Sequence, residues 1–229
     1  MRPHVKWLLT AVLAAVVVAP ASGQLPRFVG LKFILENGVD KPILLVNSGV
    51  KKEIKLTDKQ DKQVRKIEKE VLEKYQPKLR DAKGNPEKQG KLVLESMKEI
   101  RDRLNKELPN ILSAEQRKRL DQIQMQVNGI GAFRRPDVQQ KLDLTIKQGL
   151  QIGKIGNGIQ QNIAAVLKDA FRMPLRKIEA ALHKIKEMNE AATRKAVETL
   201  TKAQKKTWQE MNGEKFDFRL ELPIGRGVR

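Results

Sequence analysis

The chain has 229 residues, a formal net charge of +19 at pH 7 and no cysteine. The lack of cysteine excludes disulfide-based stability and thiol chemistry. Because 32% of the residues are charged and only 4% are aromatic, we expect long amphipathic helices rather than a thick globular core.

The first 23 residues have the pattern of a secretory signal peptide. A basic lead with Arg2 and Lys6 precedes an uncharged run from Trp7 to Ala19, and small residues follow it. We predict cleavage before Gln24 and a periplasmic protein, with an uncleaved membrane anchor as the alternative. Cleavage would lower the net charge from +19 to +17.

Residues 24–49 form a lead segment with two apolar patches, Phe28 to Leu35 and Ile43 to Val46, separated by turn residues. A hairpin and a pair of short helical turns both fit this pattern. We favour the helical turns because neither patch alternates cleanly between apolar and polar residues.

Three helices are predicted to follow. The first runs from about Asp58 to Ala82 and is broken by residues 83–85, and Pro86 suits the first position of the second helix. The third runs from Ser113 to about Val127 and carries Leu120 and Ile123. The second helix places on one face Val93, Met97, Ile100, Leu104, Leu108 and Ile111.

A pattern of the form Leu-[Ser/Thr]-x-x-Gln occurs four times. It predicts a helix start at which the hydroxyl accepts from the third helical N–H and the glutamine reaches back to the N–H of the cap residue. Such a box begins helices in proteins of every function. We assign helix-capping and junction roles to Leu56, Thr57, Gln60, Leu112, Ser113, Gln116, Leu144, Thr145, Gln148, Leu200, Thr201 and Gln204. We expect the four leucines to pack against another helix, with the opposite motif as one candidate.

The spacing of the four copies indicates an internal duplication with a period of 88 residues. A shift by this period superposes the apolar stripe Val64, Ile67, Val71, Tyr75 and Leu79 on Ile152, Ile155, Ile159, Ile163 and Leu167. We therefore divide the chain into a first repeat at 50–137, a second repeat at 138–218 and a flexible tail at 219–229. Residues 128–136 are the expected joint.

The second repeat is expected to follow the plan of the first. A helix begins at Ile146, a break lies near 171–174, and a further helix, with Leu182, Ile185 and Met188, precedes the cap at Thr201. Gly149, Gly153, Gly156 and Gly158 should loosen the first of these helices, unless another backbone packs closely against it. Residues 214–222 alternate like a strand, with an extended tail laid along the helices as the alternative.

The paired motifs behind a signal peptide resemble the Spy/CpxP family of small periplasmic helical proteins, over about residues 50–218. The resemblance implies an all-α fold of elongated antiparallel helical hairpins. Family members carry one motif pair per chain and dimerise into a curved cradle, whereas this chain carries two pairs. It therefore implies two tandem repeats that form a pseudo-dimer within one chain, and leaves a monomer and a homodimer open.

No feature of the sequence indicates catalysis, a metal or a cofactor. His183 has no second imidazole or thiol at ligand spacing once the signal peptide, with His4, is removed. The glycines between Gly149 and Gly158 are not followed by the Gly-Lys-[Ser/Thr] of a phosphate-binding loop. We therefore expect a protein that is not an enzyme and uses no cofactor.

Both halves of the chain are basic, since residues 50–137 hold 23 bases and 15 acids and residues 138–225 hold 16 and 10. This charge fits either a solvated lysine-rich coat that needs no ligand or a surface that attracts acidic partners. The resemblance implies an ATP-independent periplasmic chaperone or envelope-stress adaptor that binds unfolded or acidic polypeptides on a basic helical cradle. The alternatives are a protein that binds polyanions of the envelope and an inhibitory or structural partner of a membrane sensor; nucleic acid is a more distant candidate. The candidate client-binding residues are Lys62, Arg65, Lys66, Lys69, Arg101, Arg103, Lys154 and Lys168.

Overall fold

The computed structural model describes residues 38–170 and 175–218, and it describes side-chain burial for 38–166 and 180–218. All regular structure in these residues is helical, which confirms the predicted all-α class for this part of the chain. None of the helices in these ranges is long and apolar enough to cross a membrane. The predicted signal peptide, most of the lead segment, the break at 171–174 and the tail at 219–229 lie outside the described residues.

Nine α-helices and one 3-10 helix make up the described chain. Its contacts form two compact units: unit 1 holds the described residues up to Gln124 with the last two, and unit 2 is Met125–Phe216. The division falls inside α5, whereas the sequence placed it between residues 137 and 138. The helices are α1 Lys41–Val46, α2 Ser48–Glu53, α3 Asp58–Asp81, α4 Pro86–Ile111, α5 Ala114–Asn128, the 3-10 helix Gly129–Arg134, α6 Pro136–Leu142, α7 Ile146–Ala170, α8 Leu175–Glu198 and α9 Lys202–Asn212.

The described part of unit 1 starts with two short helices, and the first of them confirms the helical turn expected at Ile43 to Val46. Each starts at a side-chain cap: the Asp40 carboxylate accepts from the Ile43 N–H at 3.4 Å, and the Asn47 amide oxygen accepts from the Val50 N–H at 3.0 Å. Helix α1 packs against α2 and α4. Its Leu44 and Leu45 are completely buried.

Helices α3 and α4 pack against each other through the apolar faces that the periodicity predicted. On α3 the stripe Val64, Ile67, Val71 and Tyr75 is buried. On α4 the stripe is shifted at its start, because Leu92 is buried whereas the predicted Val93 is only half-buried. Each fully buried aliphatic side chain stabilises this packing by about 1.5–3 kcal/mol.

The turn between α3 and α4 ends in a cap that the sequence analysis missed. Pro86 occupies the start of α4 as predicted, and the Asn85 side chain accepts from the Lys88 N–H at 3.0 Å. Gly84 in this turn has a φ of +89°, a conformation that glycine adopts without strain.

Unit 2 has a core in which Phe133 stacks on Trp208, with ring centroids 4.2 Å apart. Residues 128–136, expected as the joint between repeats, instead contribute the 3-10 helix and its buried Ile130, Ala132 and Phe133. Apolar side chains at these positions are withdrawn from water, which explains why the segment packs against α7 and α8. The other buried members of the core are Met125, Val138, Leu142, Ile152, Ile159, Ala192, Ala196 and Leu200.

Helix α7 is continuous through its four glycines. A Cβ added at Gly149, Gly153 or Gly158 would meet no atom within 4 Å, and one at Gly156 would make only ordinary contacts with Arg134 and Ile130. No backbone packs closely against these glycines in the described structure. Burial of Ile152 and Ile159 in the core of unit 2 holds the helix in place.

The segment after Gly213 forms no strand as far as Phe218, where the description ends. Gln126 on α5 holds it: the Nε2 group donates to the Asn212 and Glu214 carbonyls at 2.6 and 2.7 Å, and Oε1 accepts from the Phe216 N–H at 2.8 Å. The strand interpretation is wrong for these residues, and the extended-tail alternative describes them. One glutamine side chain satisfies the backbone groups that a partner strand would otherwise bind.

Candidate functional site

Each of the four motifs forms a helix-start box. In unit 1 the Gln60 N–H donates to Thr57 Oγ1 at 3.3 Å, and the Thr57 N–H donates back to Gln60 Oε1 at 3.0 Å. Ser113 and Gln116 exchange the same bonds at 3.2 and 2.9 Å. Each exchange satisfies two backbone donors that a helix start leaves without a partner.

The two glutamines of unit 1 also bind each other. The Nε2 of Gln60 donates to Gln116 Oε1 at 2.7 Å, and the Nε2 of Gln116 donates to Gln60 Oε1 at 3.0 Å. Each amide has a further acceptor, since Gln60 donates to the Ile111 carbonyl at 2.8 Å and Gln116 donates to the Ile54 carbonyl at 3.1 Å and the Lys55 carbonyl at 3.2 Å. We call this reciprocal pair with its carbonyl partners the amide junction.

Unit 2 contains the same amide junction. Gln148 and Gln204 exchange hydrogen bonds of 2.7 and 3.2 Å. Gln148 donates to the Thr199 carbonyl at 3.1 Å, and Gln204 donates to the carbonyls of Leu142 at 2.9 Å and Asp143 at 3.2 Å. Every partner lies 88 positions after its counterpart in unit 1.

The amide junction joins four chain segments in each unit. In unit 1 it links the starts of α3 and α5 to the ends of α2 and α4, where the Ile54 and Ile111 carbonyls no longer accept intrahelical bonds. Lys55, two residues after α2, and Asp143, directly after α6, have left-handed backbones with φ of 51° and 47°. The amide junction therefore holds the ends of these four segments together through hydrogen bonds.

The pairing of the glutamines was not anticipated from the sequence. Glutamate caps a helix start as well as glutamine does, yet all four copies carry glutamine. Of the two side chains, only the glutamine amide can donate a hydrogen bond. The presence of glutamine in all four copies was therefore the one sequence signal that this position donates to another group. The motif leucines are withdrawn from solvent: Leu112 and Leu200 are buried, and Leu56 and Leu144 are half-buried.

The candidate client-binding residues on α3 differ in their surroundings. Lys62 and Lys66 are exposed and make no ion pair with another described residue, whereas Lys69 lies 3.6 Å from Glu73. Arg65 lies 2.6 Å from Asp61, which also lies 2.7 Å from Lys51. Burial acts to raise the pKa of Asp61, but hydrogen bonds from these two bases outweigh it and lower that pKa.

The remaining candidates do not form a single cluster. Arg103 binds Glu70 at 2.6 Å, and this hydrogen bond lowers the pKa of the Glu70 carboxyl. Arg101 lies 3.3 Å from Asp102. Lys154 is exposed on α7, and the side chain of Lys168 lies outside the described residues. Lys62 and Lys66 thus make no ion pair with a described residue, whereas Lys69 and the three arginines each lie against a carboxylate.

Two features were missed by the sequence analysis. Glu68 is 5% exposed on α3, and burial raises its pKa to about 7 against the opposing charges of Lys51 and Arg65. On α7, Ile146 and Leu150 are 85% and 65% exposed. The apolar stripes identified the buried faces of α3, α4 and α7, but they did not predict a buried charged residue on α3 or exposed apolar residues on α7.

Among the described residues, no group of three His, Cys, Asp or Glu side chains is placed to hold a metal ion. His183 is exposed on α8, with Nδ1 lying 3.6 Å from a carboxylate oxygen of Glu187. A single imidazole with one carboxylate falls short of the four ligands of a structural zinc site.

Comparison with known proteins adds no family assignment. No family model, no curated protein and no solved structure matches this chain. The resemblance to Spy/CpxP proteins therefore rests on the four motifs and their spacing.

Proposed function

We propose that the chain is an ATP-independent periplasmic chaperone or envelope-stress adaptor that binds unfolded or acidic polypeptides on basic helical surfaces. The observation that carries the proposal is the lysine row of α3, defined as Lys59, Lys62, Lys66 and Lys69. Steps of three and four residues place these side chains on one face, and all four are exposed. Only Lys69 makes an ion pair with a described residue.

The lysine row suits transient binding of acidic chains. Exposed like charges raise the local concentration of an oppositely charged partner and speed its encounter, while each contact remains weak because water screens it. Such a partner binds weakly and can dissociate readily. The cycle requires no nucleotide, since attraction and release both follow from weak contacts.

We further propose that the two units are tandem Spy/CpxP-like repeats, each built on an antiparallel helical hairpin. The amide junctions support this, because their partners correspond at a spacing of 88 residues. In unit 1 Glu70 pairs with Arg103 and Lys74 pairs with Glu99. Residue numbers therefore rise along α3 while those of the paired residues fall along α4, as in an antiparallel pair.

The test is suppression of aggregation of a denatured acidic protein without ATP, at low and moderate salt. The variant Lys59→Gln/Lys62→Gln/Lys66→Gln should suppress aggregation less than the wild type. The control Lys88→Gln/Lys91→Gln/Lys98→Gln removes equally many exposed charges from α4 of the same unit and should keep wild-type activity. If the wild-type protein fails to suppress aggregation at both salt concentrations, the chaperone proposal is wrong.

The lysine row also favours a second candidate, a protein that binds polyanions of the envelope. Its affinity for a polyphosphate chain should fall log-linearly and steeply with salt concentration, because each phosphate contact releases a counterion. Binding to a client that also makes apolar contacts should persist at moderate salt. The slope of affinity against salt therefore separates the two functions.

A further inference from the structure

Helix α7 exposes two large apolar side chains on one face. Ile146 is 85% exposed and Leu150 is 65% exposed, whereas the next most exposed large apolar residue of the described chain, Leu94, is 38% exposed. Gly149 and Gly153 lie beside them at helical spacing, and the space above both glycines is open. We call Ile146, Gly149, Leu150 and Gly153 the apolar face of α7.

The corresponding positions of unit 1 are charged. A shift by 88 residues replaces Ile146 by Asp58 and Leu150 by Lys62, and it replaces the two glycines by Asp61 and Arg65. Unit 1 forms the same helix start and the same amide junction with these charged residues. Folding of the junction therefore does not require an exposed apolar face, so the apolar residues of α7 have another role.

The charge around the apolar face indicates what covers it. Lys147 and Lys154 are exposed on the same helix, and no acidic residue occurs between Asp143 and Asp169. The start of α9, with exposed Lys202, meets the start of α7 at the amide junction. A second copy of the chain would bring like charges together, whereas a segment with both acidic and apolar side chains would neutralise the lysines and cover the apolar face.

We propose that the apolar face of α7 is a docking surface for polypeptide segments that combine acidic and apolar side chains. This inference rests on the proposed chaperone function and assigns the apolar part of client contact to unit 2. The glycines contribute space, because without a Cβ a partner side chain approaches the helix backbone closely. The lysines at the edge supply attraction, and burial of Ile146 and Leu150 supplies affinity that salt does not screen.

The experiment measures binding of a fluorescein-labelled 15-residue peptide of leucine, glutamate and serine by fluorescence anisotropy at moderate salt. The variant Ile146→Asp/Leu150→Lys installs the residues that unit 1 carries at these positions, and both sites are exposed enough to keep the fold. Because the variant loses the two apolar side chains, we expect it to bind the peptide at least about tenfold more weakly. A tenfold change in affinity corresponds to about 1.4 kcal/mol. The control Leu94→Lys makes the same kind of change on α4 and should bind as the wild type does.

Two altered peptides test the apolar residues and the lysines of the surface separately. Replacement of the peptide's leucines by serine should abolish binding, and replacement of its glutamates by glutamine should weaken it. Equal affinity of the wild type and the double variant would overturn the inference; if the wild type still suppresses aggregation, the proposed function stands without it. Failure of the wild type to suppress aggregation removes the chaperone proposal itself.

Cross-linking identifies the occupant directly. A photoreactive amino acid at position 150 should attach to the added peptide in the full-length protein, and the equivalent substitution at position 94 should not. Attachment to a second copy, or to residues 28–35 of the same chain, in place of the peptide would overturn the inference.

Discussion

Replacing Gln116 by glutamate separates the two roles of a motif glutamine, which alanine would remove together. Glutamate keeps the cap, because a carboxylate oxygen accepts from the Ser113 N–H as Gln116 Oε1 does at 2.9 Å. A negative charge in the first turn of a helix also stabilises it by about 0.3–1 kcal/mol. If capping were the whole role of the residue, Gln116→Glu would be neutral or stabilising.

The amide junction predicts the opposite result. Glutamate cannot donate, so the bonds to the Ile54 and Lys55 carbonyls and to Gln60 Oε1 are lost. Two or three partly buried hydrogen bonds contribute about 1 kcal/mol each, and carbonyls left without a donor cost about 1–3 kcal/mol more. After the favourable helix-start charge is subtracted, we expect a loss of about 2–5 kcal/mol.

Urea unfolding followed by helical circular dichroism measures this loss. The control Gln63→Glu makes the same charge change at an exposed position of α3 and should change stability by less than about 0.5 kcal/mol. Gln204→Glu should destabilise to a similar extent, since Gln204 donates to the corresponding carbonyls in unit 2. Unchanged or increased stability of Gln116→Glu would refute the junction role and leave only the cap.

Three further predictions concern backbone and burial. Because burial raises the pKa of Glu68 from 4.5 to about 7, its contribution to stability is complete below pH 4.5 and is lost as the pH rises to about 7, a change of about 3 kcal/mol. Glu68→Gln should remove this decline in urea unfolding at pH 4.5, 6 and 8; parallel pH profiles of variant and wild type would contradict it. Gly129 has a φ of +52°, and an added Cβ would lie 2.6 Å from Asn189 Nδ2, so Gly129→Ala should lower the unfolding midpoint while Gly131→Ala, with open space, should not. Lys55→Gly should stabilise by about 1 kcal/mol in the same assay, because the left-handed φ of 51° strains lysine and not glycine.

The sequence predicted those parts of the fold that depend on local patterns. Apolar residues at helical spacing located α3 and α4, and Pro86 located the start of α4, because each signal lies within a few residues of the feature. Helix α6 was missed because seven residues are too few to show periodicity. Residues 214–218 were misread because a strand requires a partner, and Gln126 supplies its hydrogen bonds from far along the chain.

The candidate site was less predictable because its contacts are long-range. The capping geometry at Thr57 follows from a local pattern, whereas the Gln60–Gln116 pair joins residues 56 positions apart. Nothing local specifies that two capping glutamines meet. The burial of Glu68 likewise depends on how the other elements of unit 1 cover α3, which a stripe count on one helix does not contain.

Each unit has its own amide junction of the same kind, but the exposed side chains at corresponding positions differ between the units. This difference is relevant to function. The bonds of Gln60 and Gln116 recur at Gln148 and Gln204 with nearly the same lengths. Because each junction binds four chain segments, we expect a substitution there to disturb more of the fold than a substitution of an exposed side chain. Residues such as Lys62 and Leu150, which occupy corresponding positions and both face solvent, are therefore free of the requirements of folding. The two positions differ in chemistry, since a lysine on α3 favours charge contacts and a leucine on α7 favours burial of apolar surface. If the proposed chaperone function holds, the first suits the acidic residues of a client and the second suits its apolar residues.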